Sequence, residues 1–376
     1  MIFISVKSKK RQAPLAFPQE LVDGRRNNHQ TTTWDLGSEQ KTIKMANGTA
    51  KPPGLAFSRE TFAKLTPGPF LQAHLQQPEP IRPNGRSLDA FRTPTIHTGS
   101  LSHSNGSAVV RLGDTAIVCG VRAEILLASD IPHPPGEDTS EDDLVERLGL
   151  LVPNVELSTG CSPGHLPGNP PSTVAQALSY RILSLLHTSN LINADDLRIL
   201  YTEPASEDDL PDEGSKVVTK AFWALYIDVL CIALDGNPFD AAWAAVISAL
   251  KSTQLPKAWW DPDREMILCS PLATETHGLR LDDIPVASTS AVFSTGSALK
   301  QRSEAESWVL ADPDGFEEDV CSETVTAVVR SNDGGVGSIT RLEKSGGGAI
   351  GKAAMGRCVH MAQQRWREWQ GVLHGG

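Results

Sequence analysis

The six residues Asp235-Gly236-Asn237-Pro238-Phe239-Asp240 constrain this chain more than any other stretch, because they join two long apolar elements with almost no linker. Upstream, Trp223 to Leu234 is apolar except for Asp228 and is long enough for a buried strand. Downstream, Asp240 to Leu250 is rich in Ala, Trp, Val and Ile and predicts a helix. A helix entrance of this kind gathers free N–H groups and the positive end of the helix dipole, which attract anions and above all phosphate. Here the first turn carries Pro238, which has no N–H to offer, bulky Phe239, and the Asp240 carboxylate, which would occupy the dipole and repel a phosphate. The junction reads as a good helix cap and a poor phosphate cradle.

Composition sets the outer bounds. With 376 residues, 40% hydrophobic content and eight Trp, the chain can bury a sizeable core as two domains or as one large domain with tails. A formal net charge of −11 argues against wholesale coating of nucleic acid, so any nucleic-acid contact must be local. The six Cys at 119, 161, 231, 269, 321 and 358 show no CxxC pair, which disfavours a zinc site and favours free thiols in an intracellular chain. No apolar run reaches the roughly 20 residues that cross a bilayer. Residues 1–56 carry the basic run Lys7 to Arg11, three consecutive Thr and a Pro52-Pro53-Gly54 break, and predict disorder. Met45-Ala46-Asn47-Gly48 looks like an ordinary start, so the preceding segment is expected to be an upstream extension.

Along the rest of the chain, Phe57 to Leu75 predicts an amphipathic arm with Ser58 as cap, interrupted at Pro67-Gly68-Pro69. Gly113-Asp114 separates two strand-like runs and predicts a hairpin. The acidic stretches 129–146 and 203–214 read as surface insertions. Ser172 to His187 predicts a helix with Val174, Leu178, Ile182, Leu185 and Leu186 on its buried face. From Ile284 the pattern repeats: strands, a turn at Asp333-Gly334-Gly335, further strands, a glycine loop and a helix from Lys352 to Gln370. That helix is expected to pack through Met355, Cys358, Val359, Ala362 and Trp366, with Arg365 and Arg367 suiting its C-terminal end. Two enzyme motifs fail on chemistry. Gly346 to Lys352 lacks the hydroxyl residue of a P-loop, since Ala353 fills that position. Gly160-Cys161-Ser162-Pro163-Gly164 has the spacing of a nucleophile elbow, but Pro163 cannot donate the oxyanion N–H.

Arg82-Pro83-Asn84-Gly85-Arg86 followed by Gly106 to Val121 resembles the RNase PH family. Pro285 to Phe293, Asp312-Pro313 with Glu317-Glu318, and Lys344 to Gly348 are similar to its non-catalytic members, the ring subunits of the eukaryotic RNA exosome; Val118 to Glu124 favours one of these over its paralogues. The resemblance covers about residues 57–370. It implies an α+β RNase PH fold, a ribosomal protein S5 domain 2-like βαβα pseudo-repeat. The expected divisions are a disordered extension (1–56), an arm (57–81), a first half (82–283) and a second half with a C-terminal helix (284–376).

In active relatives a Gly-Thr/Ser-Arg-type segment after Asp-Gly holds inorganic phosphate; the matching positions are Asn237, Pro238 and Phe239. An acidic residue that follows a Glu-Asp pair matches Val325, with Glu323 still acidic two positions earlier. The Arg-rich segment before the first long helix is replaced by Asn154 to Tyr180, which has no Arg or Lys. The resemblance therefore implies a silent homologue with no catalytic residue, cofactor or metal. RNA contact would fall to arginines such as Arg86, Arg111 and Arg122. Implied partners are other RNase PH-like ring subunits, S1/KH-type cap proteins, an associated 3′–5′ exoribonuclease and single-stranded RNA, with no membrane, in nucleus, nucleolus and cytoplasm. The rival reading is a phosphate-dependent 3′–5′ exoribonuclease, active alone or with a neighbour.

Overall fold

In the computed structural model, Ser58 accepts a hydrogen bond from the Thr61 N–H and starts α1 (Arg59–Leu65). Pro67 then opens α2 (Pro67–Leu75), which buries Phe70, Leu71 and Leu75. The structure describes residues 58–133, 141–167, 172–204, 216–281, 283–295, 306–331 and 337–374. The segment expected to be disordered (1–56), most of the acidic stretch 203–214 and the turn at 333–335 lie outside the described residues.

The next elements are β1 (Pro94–Thr98), β2 (Gly106–Leu112), β3 (Thr115–Leu127), α3 (Glu141–Arg147), β4 (Leu151–Leu157), α4 (Thr173–Ser189), β5 (Arg198–Glu203), β6 (Lys216–Ala233) and α5 (Pro238–Lys251). The strands form one sheet in the order β1-β2-β3-β6-β4, with β5 also on β6. The β2–β3 hairpin turns at Gly113-Asp114, with Leu112 opposite Thr115. Strand β6 extends beyond the apolar run because it serves three neighbours. Its start pairs with β5, its later residues pair with β4 in parallel, and β3 runs antiparallel along its other edge.

Two expectations change here. Part of the acidic insertion 129–146 is helix α3, whose charged residues flank Leu144 and Val145, both buried in the core. On α4 the buried face begins at Ala175 and continues through Leu178, Ile182, Leu185 and Leu186. Val174, in the first turn ahead of that face, is exposed.

The chain continues through β7 (Gln254–Pro256), β8 (Ala258–Asp261), β9 (Met266–Cys269), β10 (Thr276–Gly278), β11 (Val286–Ser294), β12 (Ser307–Ala311), α6 (Gly315–Val320), β13 (Glu323–Ser331), β14 (Gly337–Ser345) and α7 (Lys352–His374). A second, antiparallel sheet has the order β12-β11-β13-β14. Helix α5 packs against β2 and β3 of the first sheet and β11 of the second, and α7 packs on β11 and β13. This explains why α5 is buried almost all round, from Phe239 through Leu250 except Asp240, and why β11 is buried from Val286 to Phe293. The packing stripe of α7 also differs from expectation: it is Ala354, Cys358, Met361, Ala362, Arg365, Trp366 and Trp369, with Met355 and Val359 only partly buried. Arg365 therefore does not serve the helix terminus. One turn ahead of Trp369, it lies against the Phe91 and Trp369 rings and donates to the Arg92 carbonyl at 2.8 Å.

Candidate functional site: the junction before the central helix

The strand-to-helix junction is built as a closed turn. Thr115 Oγ1 donates to the Gly236 carbonyl at 2.8 Å and accepts from the Asp235 N–H at 3.0 Å, tying the hairpin of the first sheet to the turn. Gly236 has φ +70°, and a Cβ there would lie 2.7 Å from the Gly315 nitrogen, so the start of α6 closes over the turn.

The helix cap is Asn237. With Pro238 fixed at the first helical position, the residue before it takes the cap, and Asn tolerates the required left-handed φ of 50°. Asn237 Oδ1 accepts from the Asp240 N–H at 3.4 Å. Its Nδ2 donates to Asp240 Oδ2 at 2.9 Å and Asp312 Oδ1 at 2.7 Å, while its backbone N–H donates to Glu318 Oε1 at 2.7 Å. Asp240 turns inward, accepting from the Thr289 N–H at 2.7 Å and bonding Thr289 Oγ1 at 2.8 Å. Thr289 meets Thr326 at 2.9 Å, and Thr326 accepts from Arg181 at 3.0 Å. Arg181 lies over the buried Phe239 ring, its Cζ 3.8 Å from the centroid, and pairs with Glu343.

Arginines close the other side. Arg92 contacts both Asp312 carboxylate oxygens at 2.8 Å and donates to the Asp235 carbonyl at 2.8 Å. Arg82, fully buried, forks onto Glu317 and donates to the Ala311 carbonyl at 2.7 Å. Arg86 lies within ion-pair range of Asp312, Asp314 and Glu317.

The electrostatics follow from this crowding. Burial raises the Asp240 carboxyl above its ordinary value against the pull of its Asn237 and Thr289 hydrogen bonds. Burial works the same way on Asp312, but the Arg92 hydrogen bonds and charge outweigh it and hold Asp312 below the ordinary range. Burial, with the like charges of Asp240 and Asp312, pushes Glu318 up to about 7 despite the Asn237 N–H and Arg92.

The other residues singled out from the sequence lie as follows. Val325 is fully buried in β13, opposite Ser290 and Lys344. Two residues away, Glu323 is paired with Lys344 and accepts from the Gly348 N–H, and Lys344 holds Glu323 below the usual carboxylate range. This contact anchors the glycine loop that leads into α7. Arg111 bonds the Gly113 carbonyl, and Arg122 pairs with Glu124 and lies over Tyr226; both side chains are more than half exposed, whereas Arg86 is largely enclosed in the carboxylate cluster. Arg92 and Arg181 complete the site from outside every motif marked in the sequence, and Thr289 does so from within the Pro285 to Phe293 motif. The Pro238 position alone could have identified Asn237 as the cap.

Residues 90–256 match the family described as "3' exoribonuclease family, domain 1". The chain is 34% identical over 312 residues to Exosome complex component rrp43 of Schizosaccharomyces pombe, which covers 83% of this chain and 97% of that protein. It is 29% identical over 284 residues to Exosome complex component Rrp42 of Methanothermobacter thermautotrophicus, covering 76% and 86% of the two chains. Among solved structures it is similar to a chain of the "archaeoglobus fulgidus exosome with RNA bound to the active site", with TM-score 0.57 and 23% identity over 81% of this chain and 96% of that one. It also matches a chain of the "Archaeal exosome core", with TM-score 0.55 and 22% identity over 84% and 99%. At these identities the structural likeness speaks for the fold.

Proposed function

The chain belongs to the RNase PH, or 3′ exoribonuclease, family of exosome components, and from that premise we propose that it is a catalytically silent, structural subunit of an exosome ring. The observation that carries this reading is the Glu318 carboxyl on the Asn237 N–H, at the entrance to α5. The donor that could meet a phosphate is taken by the chain's own acid, and that acid is itself pushed up to about 7 by burial and by Asp240 and Asp312. Surroundings that disfavour one negative charge disfavour a phosphate dianion more. Pro238 offers no N–H, Phe239 is buried beneath Arg181, and Val325 can neither move a proton nor hold a metal.

The function is then geometric. The subunit pairs with RNase PH-like neighbours, supports S1/KH-type cap proteins, and helps to close a channel through which single-stranded RNA reaches an associated 3′–5′ exoribonuclease, in nucleus, nucleolus and cytoplasm. Arg111 and Arg122 are the exposed candidates for salt-sensitive RNA contact. Native mass spectrometry of the complex recovered through a tag on this chain tests the proposal. One copy among different RNase PH-like subunits, together with cap proteins and a nuclease, is expected. A homohexamer or lone monomer that cleaves RNA in the presence of inorganic phosphate would instead establish the phosphate-dependent exoribonuclease.

A further inference from the structure

We propose that the outer face of α7 is an RNA-contacting surface, engaging the phosphate backbone of a single strand; this rests on the reading of the chain as a ring subunit that handles RNA. The helix runs from Lys352 to His374 and buries its other face on β11 and β13. Its solvent stripe carries Arg357, His360, Gln364 and Arg367, at spacings of three and four residues, with Lys352 exposed at the N-terminal end. Arg357 and Arg367 stand about 15 Å apart along the axis. Neither makes an ion pair among the described residues, and the stripe's one carboxylate, Glu368, is held by Arg365. The chain as a whole carries −11, so this is a local reversal of sign.

Helix stability does not account for the arrangement. Lys352 and Arg357 lie in the first two turns, where a positive charge opposes the dipole, and the first turn has no acidic residue. Between the arginines the face presents no large apolar anchor of the kind that carries protein interfaces, only His360 and Gln364, with Ala353 and Gly356 before them; the exposed Val372 lies beyond Arg367. Exposed guanidinium forks suit phosphate oxygens, which they bind bidentately.

The test is fluorescence anisotropy of the purified full chain with a labelled oligouridine of about 20 nucleotides, titrated between 50 and 200 mM NaCl. Arg357→Gln with Arg367→Gln removes two phosphate contacts and lowers the slope of log affinity against log salt by about 1.4, at roughly 0.7 per contact. The ratio of affinities at the two salt concentrations then shrinks about sevenfold. Arg357→Lys with Arg367→Lys keeps the charge and is expected to keep the slope. An unchanged slope in the Gln variant, or no binding by the wild-type chain at 50 mM NaCl, would overturn the proposal. So would a Gln variant that keeps its slope and loses a protein from the recovered complex, which would mark the face as a protein contact. The slope is read on the chain alone, whereas the ring reading fails separately if the wild-type chain recovers no RNase PH-like neighbours.

Discussion

Glu318→Gln removes one charge from the entrance of α5 while leaving an oxygen to accept the Asn237 N–H. The native carboxyl titrates at about 7 against an ordinary 4.5, because it is buried beside Asp240 and Asp312. Between these two values the folded protein holds a proton that the unfolded chain has released, so the group's contribution to stability is full below 4.5 and is lost as pH rises to about 7. At roughly 1.4 kcal/mol per pH unit, the loss across that window is about 3 kcal/mol. Gln carries no such penalty. Urea denaturation followed by Trp fluorescence at pH 5, 6, 7 and 8 should therefore show the variant within about 1 kcal/mol of wild type at pH 5 and about 3 kcal/mol more stable at pH 8. Asp240 and Asp312 are present in both proteins, so the difference between the curves isolates position 318. A pH-independent difference, or a variant less stable than wild type at pH 8, would refute the account of why the junction disfavours an anion.

Three further substitutions probe the same site. Arg92→Ala strands the buried Asp312 carboxylate and frees the Asp235 carbonyl, and should cost about 3–5 kcal/mol by denaturant titration, with little rescue by Lys, which has no fork. Gly236→Ala combines a φ of +70° with a Cβ 2.7 Å from the Gly315 nitrogen, and should destabilise by more than about 1 kcal/mol in the same titration. Val325→Asp places an acid where the resemblance expects the carboxylate of active relatives, but buries it in the strand interior. It should lower the melting temperature by several degrees and yield no phosphate-dependent release of nucleoside diphosphates from RNA.

The junction was legible because its signals are local: an apolar run, a turn and a helix-forming run adjoin in sequence. Its cap follows from the same local signals, since Pro238 at the first helical position places the cap at Asn237. Helix α3 reads as an insertion because its seven residues include five charges, and only Leu144 and Val145 reveal the buried side. The charge of Arg365 suggests a helix end, although its spacing from Trp369 puts it on the packing face. The site's long-range bonds had no local signature at all. Arg92 and Asp312 are 220 residues apart, and only the fold brings them together.

A binding site that loses its ligand leaves polar groups which either find new partners or remain a cost. On the proposed reading of a silent site, the polar groups of this junction have found partners. The segment from Arg82 to Arg92, the junction from Asp235 to Asp240 and the segment from Asp312 to Glu318 are knitted by hydrogen bonds that leave Asn237, Asp312 and Glu317 buried and satisfied. Such a cluster is a structural element in its own right, and on the proposed reading it predicts that chemistry does not return with the ligand residues expected of active relatives alone. A Gly-Ser-Arg segment in place of Asn237-Pro238-Phe239 would withdraw the bonds to Asp312 and Asp240 and unseat the ring beneath Arg181, leaving buried carboxylates to repel the very phosphate it was meant to bind. If the proposed reading holds, a ring that draws its chemistry from another member requires only the shape of this subunit, which the bonded junction helps to hold.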